Sequence, residues 1–244
     1  MVYCKERRKY LIGWLKRIVL IGLTPPWSRG WAFAQKKHPR EEAVMKLPMP
    51  TWHGTVSVEQ AIKQRRTVRS FASRALTVDQ LAQLLGSAGG ITETKGYKRA
   101  APSAGALYPM DLYVVVGQNC LPPIEAGVYR YEPGQHQLSE VLKDDLRSSI
   151  AMAALSQMWM ADAPLIMVIT AAYRRATVKY GQRGTRYALI EAGHIGQNIF
   201  LQAQALGLEA GIVGAFHDAE LIDAMHIPSA HEPILLMPVG YALE

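Results

Sequence analysis

Residues 187–208 read YALIEAGHIGQNIFLQAQALGL. Apolar side chains recur at 188, 192, 195, 199, 203 and 206, a spacing of three and four that gathers them on one face of an α-helix. This is the longest helix the sequence predicts. Its small residues Ala192, Gly193 and Gly196 permit another backbone to approach closely, as in a helix buried in a core or at a subunit interface. Downstream, Ala210–Ala215 and Ile234–Gly240 have the length and composition of strands. Upstream, the continuous apolar runs LYVVVG (112–117) and LIMVIT (165–170) predict strands covered on both faces, in the middle of a sheet.

Further from the long helix, local signals mark the remaining elements. GVYRYE (127–132) and residues 137–141 flank Pro133-Gly134, a turn signal that predicts a hairpin. Ser57 with Gln60, and Thr77 with Gln80, have the spacing of capping boxes, which predicts short helices over about 58–65 and 78–88. Helices and strands mix without strict βαβ alternation, so the fold class is α+β. No internal repeat divides residues 55–244, and 244 residues with 49% hydrophobic content suit one globular domain.

The net charge of +7 is concentrated at one end. Residues 1–34 carry +6 of it and the remainder only +1, so the body has no electrostatic footprint for a nucleic-acid backbone. The first 34 residues combine a basic start, a modest apolar stretch, a Pro/Gly break and small residues at Ala32 and Ala34, the layout of a cleavable export signal. Arg7-Arg8 followed by Lys9-Tyr10-Leu11-Ile12 resembles a twin-arginine motif, which serves proteins that fold around a cofactor before export. The expected location is therefore outside the cytoplasm, in the periplasm, with cytoplasmic retention as the alternative. The uninterrupted apolar run Ile18–Leu23 is far below the roughly 20 residues that cross a bilayer, so no stable membrane span is expected. Residues 35–54 read as a flexible lead-in. Cys4 lies in the leader and Cys120 is the one other cysteine, which leaves no internal disulfide once the leader is removed.

Two short stretches could carry chemistry. Arg65, Arg66, Thr67 and Arg69 place three guanidiniums and a hydroxyl within five residues, a set suited to phosphate, although a basic run can equally be a solvated surface. Pro102, Ser103, Ala104 and Gly105 precede the first apolar strand, and Gly211 and Gly214 bracket Ile212 and Val213 in a second stretch. Small residues of this kind let a flat ring lie against backbone, or else mark an ordinary loop and a bulge. No metal site is expected, because His194 lacks partners at ligand spacing. Signatures of a nucleophile elbow, a phosphate loop and a dinucleotide fingerprint are lacking too.

Taken in order, RRTVRSF, PSAGALYP, GVYRYEPGQHQL, KYGQRGTRYALIEAGHIGQNIFLQAQALGLEAGIVGAF and LLMPVGY resemble the nitroreductase superfamily, in its SagB/ThcOx-type branch, over residues 55–241. The resemblance implies a nitroreductase-like α+β fold, with a central mixed sheet flanked by helices and a homodimer built around the long helix. It also implies FMN at the subunit interface. Arg65, Arg66, Thr67 and Arg69 would hold its phosphate, ribityl chain and pyrimidine edge. Pro102, Ser103, Ala104 and Gly105 would lie against the ring, with Gly211, Ile212, Val213 and Gly214 on its other face. In azoline oxidases of this branch a Lys-Tyr pair is associated with proton removal, and Lys179-Tyr180 stands in the similar place; a solvated lysine and a packing tyrosine are the plain alternative. One departure is visible: after PVG, where relatives often carry a basic residue, this chain has Tyr241-Ala242-Leu243-Glu244, with Arg183 or Arg186 as candidates to compensate.

These readings together predict an FMN-dependent oxidoreductase that transfers two electrons between a small organic substrate and flavin, with a redox partner where the enzyme is exported. NAD(P)H would serve as donor only in the cytoplasm. The alternative is a flavin-binding or catalytically silent scaffold within a peptide-modification assembly.

Overall fold

The computed structural model describes residues 43–93 and 97–243. The expectations for residues 1–34, including the twin-arginine signal and the cleavage after Ala34, lie outside the described residues, as does the first part of the lead-in.

The two continuous apolar runs become β2 (Met110–Val116) and β5 (Leu165–Ala171), paired antiparallel along their whole length and buried at every position. Around them a sheet is ordered β1-β4-β3-β2-β5-β7-β6, with β1 (Val44–Lys46), β3 (Gly127–Glu132), β4 (Gln137–Leu142), β6 (Glu209–Ala210) and β7 (Glu232–Gly240). Alternate residues of β2 and β5 face opposite cores. Leu112, Val114, Met167 and Ile169 pack with α2 (Val78–Gly89) and α5 (Arg183–Ala205), whereas Tyr113, Val115, Ile166 and Val168 pack with α3 (Arg147–Ala153) and α6 (Asp218–Met225). Two shorter helices, α1 (Val58–Gln64) and α4 (Arg174–Tyr180), pack against α5.

The named strands all pair antiparallel, and the one parallel contact among the described residues is the isolated bridge Thr67–Ala210. A mixed sheet was the expectation. Apolar runs report that both faces of a strand are covered, and helices on both sides cover them here; strand direction leaves no trace in such a run. The stretch 210–215 is strand only at Glu209–Ala210, after which Val213 touches β7 through a single bridge to Leu236. Residues 44–46 are paired with β4, and His136 fixes the segment after them: Tyr131 Oη donates to His136 Nδ1 (2.8 Å), and His136 Nε2 donates to Pro48 O (2.9 Å). That part of the lead-in belongs to the sheet.

Capping follows the sequence closely in one case and partly in the other. Thr77 and Gln80 exchange both hydrogen bonds of the box, while Ser57 accepts from Gln60 N without the reciprocal bond. On α5, Ala188, Ala192, Ile195, Ile199 and Ala203 are buried as the periodicity requires. Gly196 faces Leu235, Met237 and Ile212, but Gly193 points outward with open space around it. The exposed stripe of α5 carries Leu189 and Ile190, respectively 47% and 49% exposed, beside that glycine.

Candidate active site

The basic segment is placed by the end of α1. Arg65 leaves the helix with extended backbone (φ −51°, ψ 134°), and the chain then runs beside β6, with Val68 N donating to Ala210 O at 3.0 Å. Gly211 is required at this crossing, because a Cβ there would stand 2.9 Å from both Val68 O and the Trp159 ring. Arg66 is engaged locally: its Nη1 donates to the carbonyls of Lys63 and Arg65 at 2.9 Å each, closing the end of α1. Arg65 and Arg69 lie over aromatic rings, of Phe200 at 5.1 Å and Trp159 at 5.9 Å, and neither forms an ion pair among the described residues. Thr67 is half-buried between them. The structure thus brings the basic segment to Ala210–Gly211. Ile212 turns toward Gly196, Val213 is buried and Gly214 is exposed.

The loop before β2 is the second half of the site. Ser103 is extended, Ala104–Ala106 make one 3-10 turn, and Gly105, Ala106 and Tyr108 all have positive φ (63°, 53° and 46°). Such backbone is held by its surroundings. Tyr108 N donates to Ser103 Oγ at 2.9 Å, Arg175 Nη1 donates to Tyr108 O at 3.2 Å, and His194 Nδ1 lies 3.3 Å from Pro102 O. Lys179 and Tyr180 belong to the last turn of α4. They meet the loop: a Cβ on Gly105 would stand 2.5 Å from Tyr180 Oη and 3.0 Å from Lys179 Nζ. The Tyr180 ring is in turn set edge-on against Tyr187 of α5, with centroids 5.1 Å apart. Ser103, Gly105, Lys179 and Tyr180 therefore form one cluster.

The basic segment and this cluster stand at different stations of α5. Glu191, beside Ser103, and Phe200, beneath Arg65, are separated by roughly 14 Å of helix at 1.5 Å per residue. Arg183 begins α5, roughly 25 Å from Phe200 on the same measure, so within one chain neither it nor the neighbouring Arg186 stands beside Arg65.

A third group escaped sequence reading. Asp111, 8% exposed, sits 3.0 Å from Arg130 Nη2, 2.8 Å from Arg175 Nη2 and 3.7 Å from His231 Nε2. Tyr113, its phenol pushed up to about 12 chiefly by burial, donates to His231 Nδ1 at 2.8 Å, and burial holds that imidazole below its ordinary range. Nearby, Glu191 is 3% exposed and has one oxygen, Oε2, without a hydrogen-bond partner among the described residues. Burial pushes its carboxyl up to about 7, against the opposing pull of the Ser103 hydroxyl, Arg99 and Arg175. One signal in the sequence marks it: a glutamate between Ala188, Ala192 and Ile195, on the face of α5 that periodicity assigns to the core.

Residues 62–241 match the Nitroreductase family, and the chain belongs to that family. It is 42% identical over 193 residues to a protein of Methanocaldococcus jannaschii assigned as a nitroreductase, covering 78% of this chain and 93% of the relative. A crystal structure from Ralstonia eutropha, likewise assigned as a nitroreductase, superposes with a TM-score of 0.73 at 29% identity, over 83% of this chain and 91% of that one. The microcin B17-processing protein McbC of Escherichia coli is 26% identical over 155 residues, 62% of this chain and 57% of the relative. The chain is accordingly a nitroreductase-family oxidoreductase with similarity to a protein of a peptide-processing system.

Proposed function

We propose that the chain is an FMN-dependent oxidoreductase of SagB/ThcOx-type character, active as a homodimer, that moves two electrons as hydride between a small organic substrate and the flavin. The observation that carries this reading is the crossing of the basic segment over Gly211. Arg65 and Arg69, which form no ion pair among the described residues, flank Thr67 where the chain crosses Ala210–Gly211. That arrangement fits a phosphate-bearing cofactor. FMN, when bound, supplies the two-electron acceptor and donor.

Arg65 and Arg69 bind its anionic edge, with Thr67 between them. Ser103, Ala104 and Gly105, following Pro102, and the Gly211–Gly214 stretch orient the ring. Lys179, with Tyr180 beside it, takes the proton that the substrate loses as hydride departs, or returns it in the reverse direction. Since the two halves of the site are spaced along α5, pairing two chains across the exposed Leu189-Ile190-Gly193 stripe lets each copy supply one half.

Export through the twin-arginine leader accords with a flavoprotein that loads its cofactor first, and it implies a redox partner; cytoplasmic retention implies NAD(P)H as donor. Among the described residues no helix is long and apolar enough to cross a membrane. The similarity to McbC favours one other reading, a scaffold or partner in a peptide-modification assembly.

The absorption spectrum of the purified full chain, followed by heat release of the chromophore, tests the proposal. Near-stoichiometric FMN is expected, with Arg65→Ala and Arg69→Ala each losing most of it together with activity. A colourless protein that takes up no added FMN would sink the flavoenzyme reading in favour of the scaffold.

A further inference from the structure

Between the β2–β3 face of the sheet and α5 lies a cavity of about 310 Å³, lined in part by Leu107 and Tyr108 of the 103–108 loop. Three arginines and three carboxyl groups line it. Arg130 and Arg175 pair with Asp111, and Arg130 also reaches Glu132 at 3.6 Å, so two cations and two anions balance. Arg99 is left over. It forms no ion pair and no hydrogen bond through its guanidinium among the described residues, and it lies over the Tyr108 ring at 4.2 Å. The remaining carboxyl, Glu191, presents its unpartnered Oε2. Leu107, Leu112 and Ile195 complete an apolar wall.

A half-buried cation with no ion pair among the described residues, near a buried oxygen with no hydrogen-bond partner among them, is an incomplete arrangement. A ligand with an anionic end and a hydrogen-bonding end completes it. We propose that this cavity binds a small carboxylate bearing a hydrogen-bond donor, such as a hydroxy acid, with its carboxylate on Arg99 and its donor on Glu191. The volume is at the lower end for ligand sites, which restricts the occupant to a small molecule. The Lys179–Tyr180 cluster touches the same loop at Gly105, so such a ligand would stand beside the candidate reaction centre. A role for the carboxylate in turnover rests on the reading of Lys179 and Tyr180 given above; its binding does not.

Calorimetric titration of the full chain with glycolate, lactate and mandelate, each against its neutral amide, reads binding without flavin or turnover. At least one carboxylate is expected to bind with Kd below about 1 mM and at least about ten-fold more tightly than its amide. Arg99→Gln should weaken that binding about ten-fold or more, with the circular dichroism of the folded chain retained. Glu191→Gln, which keeps a carbonyl oxygen for the ligand's donor, should retain it. Leu107→Trp, which fills the mouth of the cavity and leaves every charge in place, should abolish it, and this variant carries the test should Arg99→Gln fail to fold. The proposal is overturned if none of the three acids binds, or if the acid that binds is unaffected by both Arg99→Gln and Leu107→Trp. A colourless protein that still binds carboxylate would separate this result from failure of the flavin reading.

Discussion

At the Phe200 end of α5, Arg65 and Arg69 lie over aromatic rings and form no ion pair among the described residues; near the middle of the same helix, Arg130 and Arg175 close on a single buried aspartate. The same side chain serves two purposes. Where an arginine is matched by a buried carboxylate, its charge is consumed in holding elements together, here β2, β3 and α4 at one point. Where it is unmatched and accessible, its charge is available to a ligand. The contrast predicts opposite consequences for substitutions that look alike on paper.

The largest effect should come from the matched side. Asp111→Ala leaves Arg175 without its counter-ion and Arg130 with only the 3.6 Å contact to Glu132, and removing one partner of a buried charge group typically costs about 3–5 kcal/mol. Both arginines are more than a third exposed, respectively 37% and 38%, so water relieves part of that and a loss of about 3 kcal/mol is expected in urea unfolding. Arg65→Ala should cost only about 0.5–1 kcal/mol, the contribution of its contact with Phe200, while removing most of the bound flavin. Equal losses of stability in the two variants would dissolve the contrast.

The pH dependence of stability sharpens the comparison at Glu191, which belongs to neither set. Its carboxyl is pushed by burial from an ordinary 4.5 up to about 7, so the folded chain keeps a proton that the unfolded chain has released. The stability this group contributes is complete below about 4.5, falls as pH rises, and is lost once pH passes about 7. Glu191→Gln keeps the shape and cannot ionise. Its unfolding free energy should therefore gain on that of the wild type between pH 5 and pH 8, by at most about 3 kcal/mol. A constant difference across that range would mean that Glu191 is ionised throughout and paired with Arg99.

How much of this was legible in the sequence depends on how local the signal is. α1 and α2 begin at Ser57 and Thr77, whose side chains accept from the third residue on, and both helices were readable. α3, α4 and α6 begin at Leu146, Tyr173 and His217, none of which makes a side-chain cap, and these helices left no such mark. Lys179 and Tyr180 were consequently assigned to no helix from the sequence, although they end one. The hairpin at Pro133-Gly134 was legible for the same local reason, while β1, three residues long, was too short to show alternation. For the site, the basic segment and the two small-residue stretches stood out as contiguous motifs. The cavity group did not: Asp111, Arg130, Arg175 and Glu191 come from four separate elements and Arg99 from the loop after α2, and only folding brings them together.

A further substitution tests whether the 103–108 loop joins the two sides of the comparison. Gly105 has φ 63°, a conformation in which a side chain costs about 1 kcal/mol, so Gly105→Ala should destabilise the chain by about 1–2 kcal/mol once the contact with Tyr180 is included. Because the nearest atoms, Tyr180 Oη and Lys179 Nζ, are the far ends of flexible side chains, the fold can yield by moving them. The global cost is then modest and the local one is not. If Lys179 and Tyr180 act on substrate, this added methyl should lower kcat per bound flavin by about ten-fold or more, with flavin content scored separately because Gly105 also belongs to the loop assigned to orient the ring. Wild-type kcat in Gly105→Ala, with the same small loss of stability, would assign the pair to packing and leave the chemistry to other residues.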